Sequence, residues 1–346
     1  MTDPLKRQLE ILALITAILF VLATPVAFTV YSLERSVFDA NLYIQAMDEE
    51  NIYQQLPLSM AQTFVQASQR PGSGNLLSIF RNLSVEQWQG LIVQILPPHV
   101  LRVLMVDSVT QVMGFLNGER SDAIVSLAIL KTHLQSPEGS NAINLLLEAQ
   151  PDCTVEQLTS MALNPQTFAL CNPPDTFLLF DLRPIIAAQV SNLVTLIPEQ
   201  VTLIPEGSSR PAYLDYVNDF RVFMRLSPML PILCLLIIAI LVVRTWRGWL
   251  SWWGYPLLIA GFLSLFISVI SAPLSSLIFQ VLFVPALPAF IPADMLEMFR
   301  GLMTTIVRHA LQPALLFAGG MILVGLVMVA LGFFLRKRIE RTPLYS

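Results

Sequence analysis

The sequence predicts an all-α membrane protein with four transmembrane helices and a large, mainly helical extracytoplasmic domain between the first two. The first observation is the position of the long apolar runs. One covers residues 11–31, and three more lie within 229–335. The second is the composition, which is 55% hydrophobic and 13% charged, with a mean hydropathy of +0.65. These values differ strongly from those of soluble domains. The long segment between the first two runs is therefore expected to lie outside the membrane.

The first transmembrane helix is predicted over residues 11–32, after a cytoplasmic segment at 1–10. About 20 apolar residues cross the hydrocarbon core, and no charge interrupts residues 11–31. Lys6 and Arg7 also fit the start of a secretory signal peptide. The apolar run is longer than the roughly 7–15 residues of a signal-peptide core, so an uncleaved anchor is favoured. Pro25 is expected to kink this helix.

Basic residues set the predicted orientation, because Lys and Arg accumulate on the cytoplasmic side of membrane proteins. If the chain crosses the membrane four times, its basic segments all lie on one side: Lys6 and Arg7, Arg244 and Arg247, and the C-terminal tail. This predicts a multi-pass protein of the plasma (inner) membrane with both termini cytoplasmic. The remaining predicted segments are an extracytoplasmic domain at 33–226, transmembrane helices at 227–244, 254–276 and 313–335, an outer loop at 277–312 and a tail at 336–346.

A turn rich in tryptophan and arginine is predicted at 245–253, between the second and third transmembrane helices. Its four tryptophans are interleaved with Arg247 and follow Arg244. Indole rings favour the headgroup layer, so the pattern is typical of an interfacial belt. An aromatic cage for a ligand is the alternative.

Small and polar residues form a stripe along the third transmembrane helix. Their steps of three and four residues place them on one helical face: Gly261, Ser264, Ser268, Ser271 and Ser275. One interpretation is a packing seam, since small residues let helices approach closely in lipid. The other is a polar lane for a substrate. The apolar cores contain no Asp, Glu, Lys, Arg or His, which disfavours a proton-coupled pump.

Helical signals dominate the predicted extracytoplasmic domain. Ser84 with Gln87, and Thr154 with Gln157, match the capping-box pattern. The first opens a helix that ends before Pro97, and Gly118 is expected to end the next one. The predicted helices are 36–47, 51–67, 84–95, 99–116, 140–149, 154–162, 182–196 and 211–226. One short strand pair is expected, formed by Ala123–Leu130 and Gln200–Ile204.

Cys153 and Cys171 are predicted to form a disulfide. Both lie in the predicted extracytoplasmic domain, and an oxidising compartment favours pairing. Redox or nucleophilic chemistry is the alternative, but it needs a thiolate beside a base, and no histidine is near in sequence. The third cysteine, Cys234, lies within the second transmembrane helix.

The other polar residues predict no catalytic, cofactor or metal site. His99, His133 and His309 lack the partner spacing of a zinc site. A net charge of −4 gives no basic footprint for nucleic acid. In the outer loop, residues 294–311 form an amphipathic helix, which is expected either to lie on the outer leaflet or to dock against the large domain.

The predicted transmembrane topology, and only the topology, resembles that of the permease subunits of cell-division and lipoprotein-release ABC transporters. Those proteins couple to an ATPase through a cytoplasmic segment, which here is a tight Trp/Arg turn, so no residue role is carried over. We expect an accessory or scaffold protein, not an enzyme, whose 33–226 domain binds a protein or envelope partner while its helices contact the lipid bilayer. A lipid or small-molecule transporter that uses the serine stripe is the alternative, and a membrane enzyme is third.

Overall fold

The computed structural model describes residues 3–68, 83–148, 151–163, 171–172, 194–205, 212–287 and 291–340. The chain divides into two compact units. The membrane unit comprises Met1–Leu42, Ser209–Gln280 and Met303–Ser346, and the helical unit comprises Tyr43–Ser208 and Val281–Leu302. Helices account for nearly all of the described secondary structure, together with one two-stranded sheet.

Five described helical stretches are long and apolar enough to cross a membrane, which supports a multi-pass membrane protein. They are Arg7–Val37, Pro98–Leu116, Tyr216–Val242, Gly248–Ala286 and Ala293–Leu335. The second, Pro98–Leu116, is the least apolar of the five and belongs to the helical unit.

In the membrane unit, four long helical segments surround one apolar cluster. The segments are α1 (Asp3–Val37), α9 (Ala212–Leu226) with α10 (Met229–Val242), α11 (Trp246–Ile278) and the later part of α12 (Ala293–Glu340). Phe20 of α1 is 1% exposed and packs with Cys234, Leu257 and Met328. Many large apolar side chains on the outer surfaces are exposed, as expected for helices that lipid surrounds.

The second apolar run is helical over a shorter range than the sequence predicts. Helix α10 has 14 residues and is about 21 Å long, which falls short of a hydrocarbon core of about 30 Å. Together with the last turns of α9, the apolar stretch Tyr216–Val242 reaches 27 residues. Phe220 and Phe223 on α9 are exposed and extend the apolar surface of α10.

The predicted Trp/Arg turn and the outer loop contain more helix than the sequence predicts. Helix α1 continues through Pro25 as one element, and the kink there stays a prediction. Helix α11 begins at Trp246, so most of the predicted Trp/Arg turn is helical, and Thr245 caps it by accepting a hydrogen bond from the Gly248 N–H. The predicted outer-loop helix and the fourth apolar run are one helix of 48 residues, which contains Pro313.

The helical unit contains α2 (Ala40–Glu49, which begins in the membrane unit), α3 (Ile52–Ser68), α4 (Val85–Ile95), α5 (Pro98–Leu116), α6 (Ala128–Leu134), α7 (Pro137–Glu148) and α8 (Val155–Leu163). The two predicted capping boxes are present at Ser84 and Thr154. Gly118 ends α5 with a positive φ of 76°. The N–H groups of Gly118 and Glu119 donate to the carbonyls of Phe115 and Gly114, which is a Schellman motif.

The predicted strand pair is confirmed. Strand β1 (Ala123–Ser126) pairs antiparallel with β2 (Gln200–Ile204). The prediction was wrong at its end, because residues 128–130 begin α6. The predicted helix at 36–47 is divided, since α1 ends at Val37 and α2 starts at Ala40. Most of the predicted helix at 182–196 lies outside the described residues.

The amphipathic outer-loop helix docks within the helical unit. Met298 is 6% exposed and shares a cluster with Met47, Ile52 and Tyr53. Nearby, the Gln62 amide donates a 2.8 Å hydrogen bond to Asp294 at the start of α12. Apolar packing and this polar contact therefore favour docking over a position on the leaflet.

Candidate functional site

A buried ionic cluster joins α1 to α9 in the membrane unit. Glu34 is 3% exposed, and its Oε1 accepts hydrogen bonds from Arg225 Nε at 2.8 Å and Arg221 Nε at 3.3 Å. The Arg221 side chain is 12% exposed and the Arg225 side chain 58%. One buried carboxylate therefore holds two guanidinium groups from one face of α9.

Neighbouring contacts fix the same pair of segments. The Arg221 guanidinium lies 3.9 Å from the ring centroid of Phe38, which is a cation–π geometry. The Ser227 hydroxyl donates to the Ala27 carbonyl at 2.8 Å. A charge buried in this way requires compensation, so the cluster is suited to clamping α9 onto α1.

Sequence reasoning did not identify this cluster. Glu34 lies just beyond the apolar run, and its partners are 187 and 191 residues away in the chain. The sequence carries two weak signals of this cluster. One is a carboxylate one turn past an apolar stretch, and the other is a distant pair of arginines at positions i and i+4.

The structure places Gly261, the first residue of the predicted stripe, against α12. A methyl group there would lie 3.0 Å from the backbone N of Ile322 and 3.2 Å from the Ala318 carbonyl. Gly325 approaches α11 as closely, since its Cβ would lie 2.9 Å from the backbone N of Leu258. These glycines allow the two backbones to pack in close contact.

The serines of the stripe divide into two groups. Ser264 is 4% exposed, and its hydroxyl has no hydrogen-bond partner among the residues that the structure describes. Ser271 and Ser275 donate to carbonyls three residues earlier in their own helix, and Ser268 is half-buried. Ser264 is therefore the stripe residue whose hydroxyl is both buried and without a partner among the described residues.

An apolar groove of about 450 Å³ lies between α1 and α11. Ala17 and Pro256 are among its lining residues, together with the longer side chains of Leu14, Ile18, Trp252 and Ile259. Leu14, Ile18 and Ile259 are each more than half exposed. The groove is thus open along a surface that the hydrocarbon of a bilayer would contact.

In the helical unit, strand β2 is exposed along most of its length. Val201 is 38% exposed and Leu203 46%. On β1, by contrast, Val125 is 4% exposed and the Ser126 N–H donates to the Asp107 carboxylate of α5. In the described part of the chain β2 pairs with no second strand. An apolar strand with one unpaired side is a surface to which another chain can bind.

Cys153 and Cys171 form the predicted disulfide. Cys171 is 4% exposed, and two backbone hydrogen bonds flank the bridge, from Cys153 to Asn172 and from Asn172 to Pro151. The bridge therefore joins two segments that also pair through their backbones. Cys234 is buried and free.

The structure brings His99 and His133 together, with ring centroids 5.9 Å apart. The His133 Nε2 lies 2.7 Å from the Gln94 carbonyl oxygen, so this ring is held by α4. Among the residues that the structure describes, no group of three His, Cys, Asp or Glu side chains could hold a metal ion.

Asp48 and Arg102 form a short side-chain ion pair in the helical unit. Arg102 Nε and Nη2 each donate to one carboxylate oxygen at 2.9 Å. The hydrogen bond from Arg102 lowers the pKa of Asp48. Both side chains are substantially exposed, so solvent screens this pair.

Comparisons of the chain with protein-family models, curated proteins and solved structures find no match.

Proposed function

We propose that this protein is an integral membrane scaffold whose helical unit binds a protein partner on the extracytoplasmic side. The observation that supports this function is strand β2, which presents exposed Val201 and Leu203 beside an edge that pairs with no further strand in the described part of the chain. Addition of a strand to such an edge provides affinity through main-chain hydrogen bonds and specificity through alternate side chains.

The register identifies the groups that a partner strand would use. Val125 lies opposite Val201, and the Leu127 N–H donates to the Glu199 carbonyl. Because backbone groups alternate in direction along a strand, those of Gln200 and Thr202 face away from β1. A partner strand would pair with these two residues.

The described surroundings keep this edge in place. Asp107 covers the opposite edge of the sheet by accepting the hydrogen bond from Ser126. Lys131 of α6 lies 4.0 Å from Glu199 immediately before β2. A partner would therefore meet a strand that is already extended, which lowers the entropy cost of binding.

The proposed topology has four transmembrane segments and cytoplasmic termini in the plasma membrane. The least apolar of the five candidate helices, Pro98–Leu116, is assigned to the extracytoplasmic domain. Its packing supports this assignment, since Leu101 belongs to the cluster of Tyr53 and Met298. The basic residues that flank the other four helices support the orientation.

Replacement of Thr202 by proline tests the proposed binding edge. Proline removes the one N–H of Thr202, which faces away from β1, and proline is tolerated on edge strands. The full chain is purified in mild detergent from native membranes, and co-purified protein is quantified per chain. We expect a stoichiometric partner with the wild type and with Thr202→Ala, and its loss with Thr202→Pro and with Leu203→Lys.

The proposal fails if the wild type carries no stoichiometric protein, or if all four chains carry the same one. Formation of the Cys153–Cys171 disulfide in each variant serves as the control for folding. A variant that forms this bridge and elutes like the wild type has lost the binding edge and not its fold.

A transporter that uses the stripe of α11 is the second candidate. The buried hydroxyl of Ser264, which lacks a partner, favours it, because a polar group without a partner is costly in a membrane. Ser264→Ala would abolish transport through a polar lane in a vesicle flux assay. It would leave the function of the chain intact if the stripe is a packing seam.

A further inference from the structure

We propose that the partner strand which adds to β2 belongs to a basic segment, with Lys or Arg beside the start of β2 and apolar side chains at alternate positions. This inference rests on the proposed function and names the chemistry of the partner. The site is the open edge of β2, and the charge around that edge selects the occupant.

The helical unit is strongly acidic. Its two segments contain seventeen acidic and seven basic residues, which gives a net formal charge of −10. The whole chain has a net charge of −4, so the membrane unit carries charge of the opposite sign. A unit with this negative charge attracts basic partners, raises their association rate and disfavours acidic ones.

The same sign prevails around the sheet. Glu199 immediately precedes β2, and its side chain is 87% exposed. Asp122 immediately precedes β1 and lies beside the end of β2, because Ala123 pairs with Ile204. The other charged residues that flank either strand within four positions, or that contact these segments, are Asp107, Glu119, Arg120, Lys131 and Glu206, of which Glu206 lies outside the described residues. Together these are five acidic and two basic residues.

Lys131 compensates Glu199 only in part. Its Nζ lies 4.0 Å from Glu199 Oε1, and its own side chain is 20% exposed. Most of the Glu199 side chain therefore faces solvent, where a cation of a partner can contact it. An exposed ion pair of this kind changes an affinity about two- to five-fold.

The geometry of strand addition brings such a cation close. Glu199 lies one residue before Gln200, whose backbone groups face away from β1. A partner residue opposite or diagonal to Glu199 would lie about 5–8 Å from it, which the side chain of Lys or Arg can span. Val201 and Leu203 alternate with Gln200 and Thr202 along β2 and are exposed. The partner side chains beside them are therefore expected to be apolar.

The test uses the full chain in a non-ionic detergent and two synthetic peptides with the same alternating core of valine and threonine. One peptide has two lysines at each end, and the other has two glutamates at each end. Fluorescence anisotropy of the labelled peptides measures binding in about 0.15 M salt. We expect the basic peptide to bind about ten-fold more tightly, since ion pairs form at the ends of β2. This ratio should fall toward one at about 1 M salt, which screens exposed charges.

Three variants test where the selecting charge lies. Glu199→Gln should reduce the ratio about two- to five-fold, whereas Glu156→Gln, the same change on α8, should not. Lys131→Gln removes the competing cation and should raise the ratio. A loss of folding would not produce opposite effects of Glu199→Gln and Lys131→Gln, and formation of the Cys153–Cys171 disulfide is the control in each variant.

The outcomes separate this inference from the proposed function. Equal binding of the two peptides to the wild type, lost for both in Thr202→Pro, would overturn the basic partner and leave the binding edge in place. Binding of neither peptide would overturn both. Basic selectivity that survives Thr202→Pro would show that the peptide binds away from β2 and would overturn the inference. Equal effects of Glu199→Gln and Glu156→Gln would overturn the assignment of the charge to the start of β2.

Discussion

Replacement of Glu34 by alanine should destabilise the membrane unit more than any other single change in its ionic cluster. The substitution leaves Arg221, whose side chain is 12% exposed, without its counter-charge. Loss of one partner from a buried pair costs about 3–5 kcal/mol. Arg225, at 58% exposure, can turn to solvent, so we expect a value of about 3 kcal/mol, at the lower end of that range.

The cluster predicts an order of effects as well as a magnitude. Arg225→Ala should cost about 1 kcal/mol or less, because an exposed ion pair contributes little. Arg221→Ala should fall between the two, since Glu34 keeps Arg225 while the contact with Phe38 is lost. The double variant Glu34→Ala/Arg221→Ala should cost less than the sum of the single changes, because the two residues share one interaction.

Denaturant unfolding of the purified full chain in detergent, followed by tryptophan fluorescence, measures these differences. Glu10→Ala is the matched control, since it removes an exposed carboxylate from the same helix. The reasoning is refuted if Glu34→Ala is no more destabilising than Glu10→Ala, or if Arg225→Ala costs more than Arg221→Ala.

Three further predictions concern other contacts. Gly325→Ala should destabilise the chain, because its methyl group would meet backbone of α11 at 2.9 Å, whereas Gly319→Ala, with nothing within 4 Å, should not; thermal unfolding compares them. Cys153→Ser should lower the stability of the helical unit by about 3 kcal/mol relative to the oxidised wild type in the chain-entropy model, measured by urea unfolding, and the reduced wild type should match the variant. Arg102 lowers the pKa of Asp48. The ion pair between these residues therefore stabilises the folded state above the unfolded pKa of about 4, and this stabilisation is lost as pH falls through the pKa of Asp48 in the folded state. Unfolding measured from pH 7 to pH 3 should therefore depend less on pH in Asp48→Asn.

Local signals in the sequence were sufficient for most of the described secondary structure. Ser84 with Gln87 starts a helix because the side chain and backbone satisfy each other three residues apart. Gly118 ends the next helix because it accepts a positive φ. The strand pair was also predictable, but the end of its first strand was not. The apolar pattern continues into Ala128–Leu134, and no other sequence signal there marks the start of a helix.

The sequence by itself determined the apolar runs, the helix caps and the pairing of Cys153 with Cys171, because each depends on composition or on residues close in the chain. Only the tertiary structure revealed the bond between Glu34 and Arg225, the docking of Met298 and the groove between α1 and α11. Each of these depends on which helices become neighbours. Apolar periodicity identifies the face that a helix buries and not the helix that covers it, since any apolar partner satisfies the same pattern.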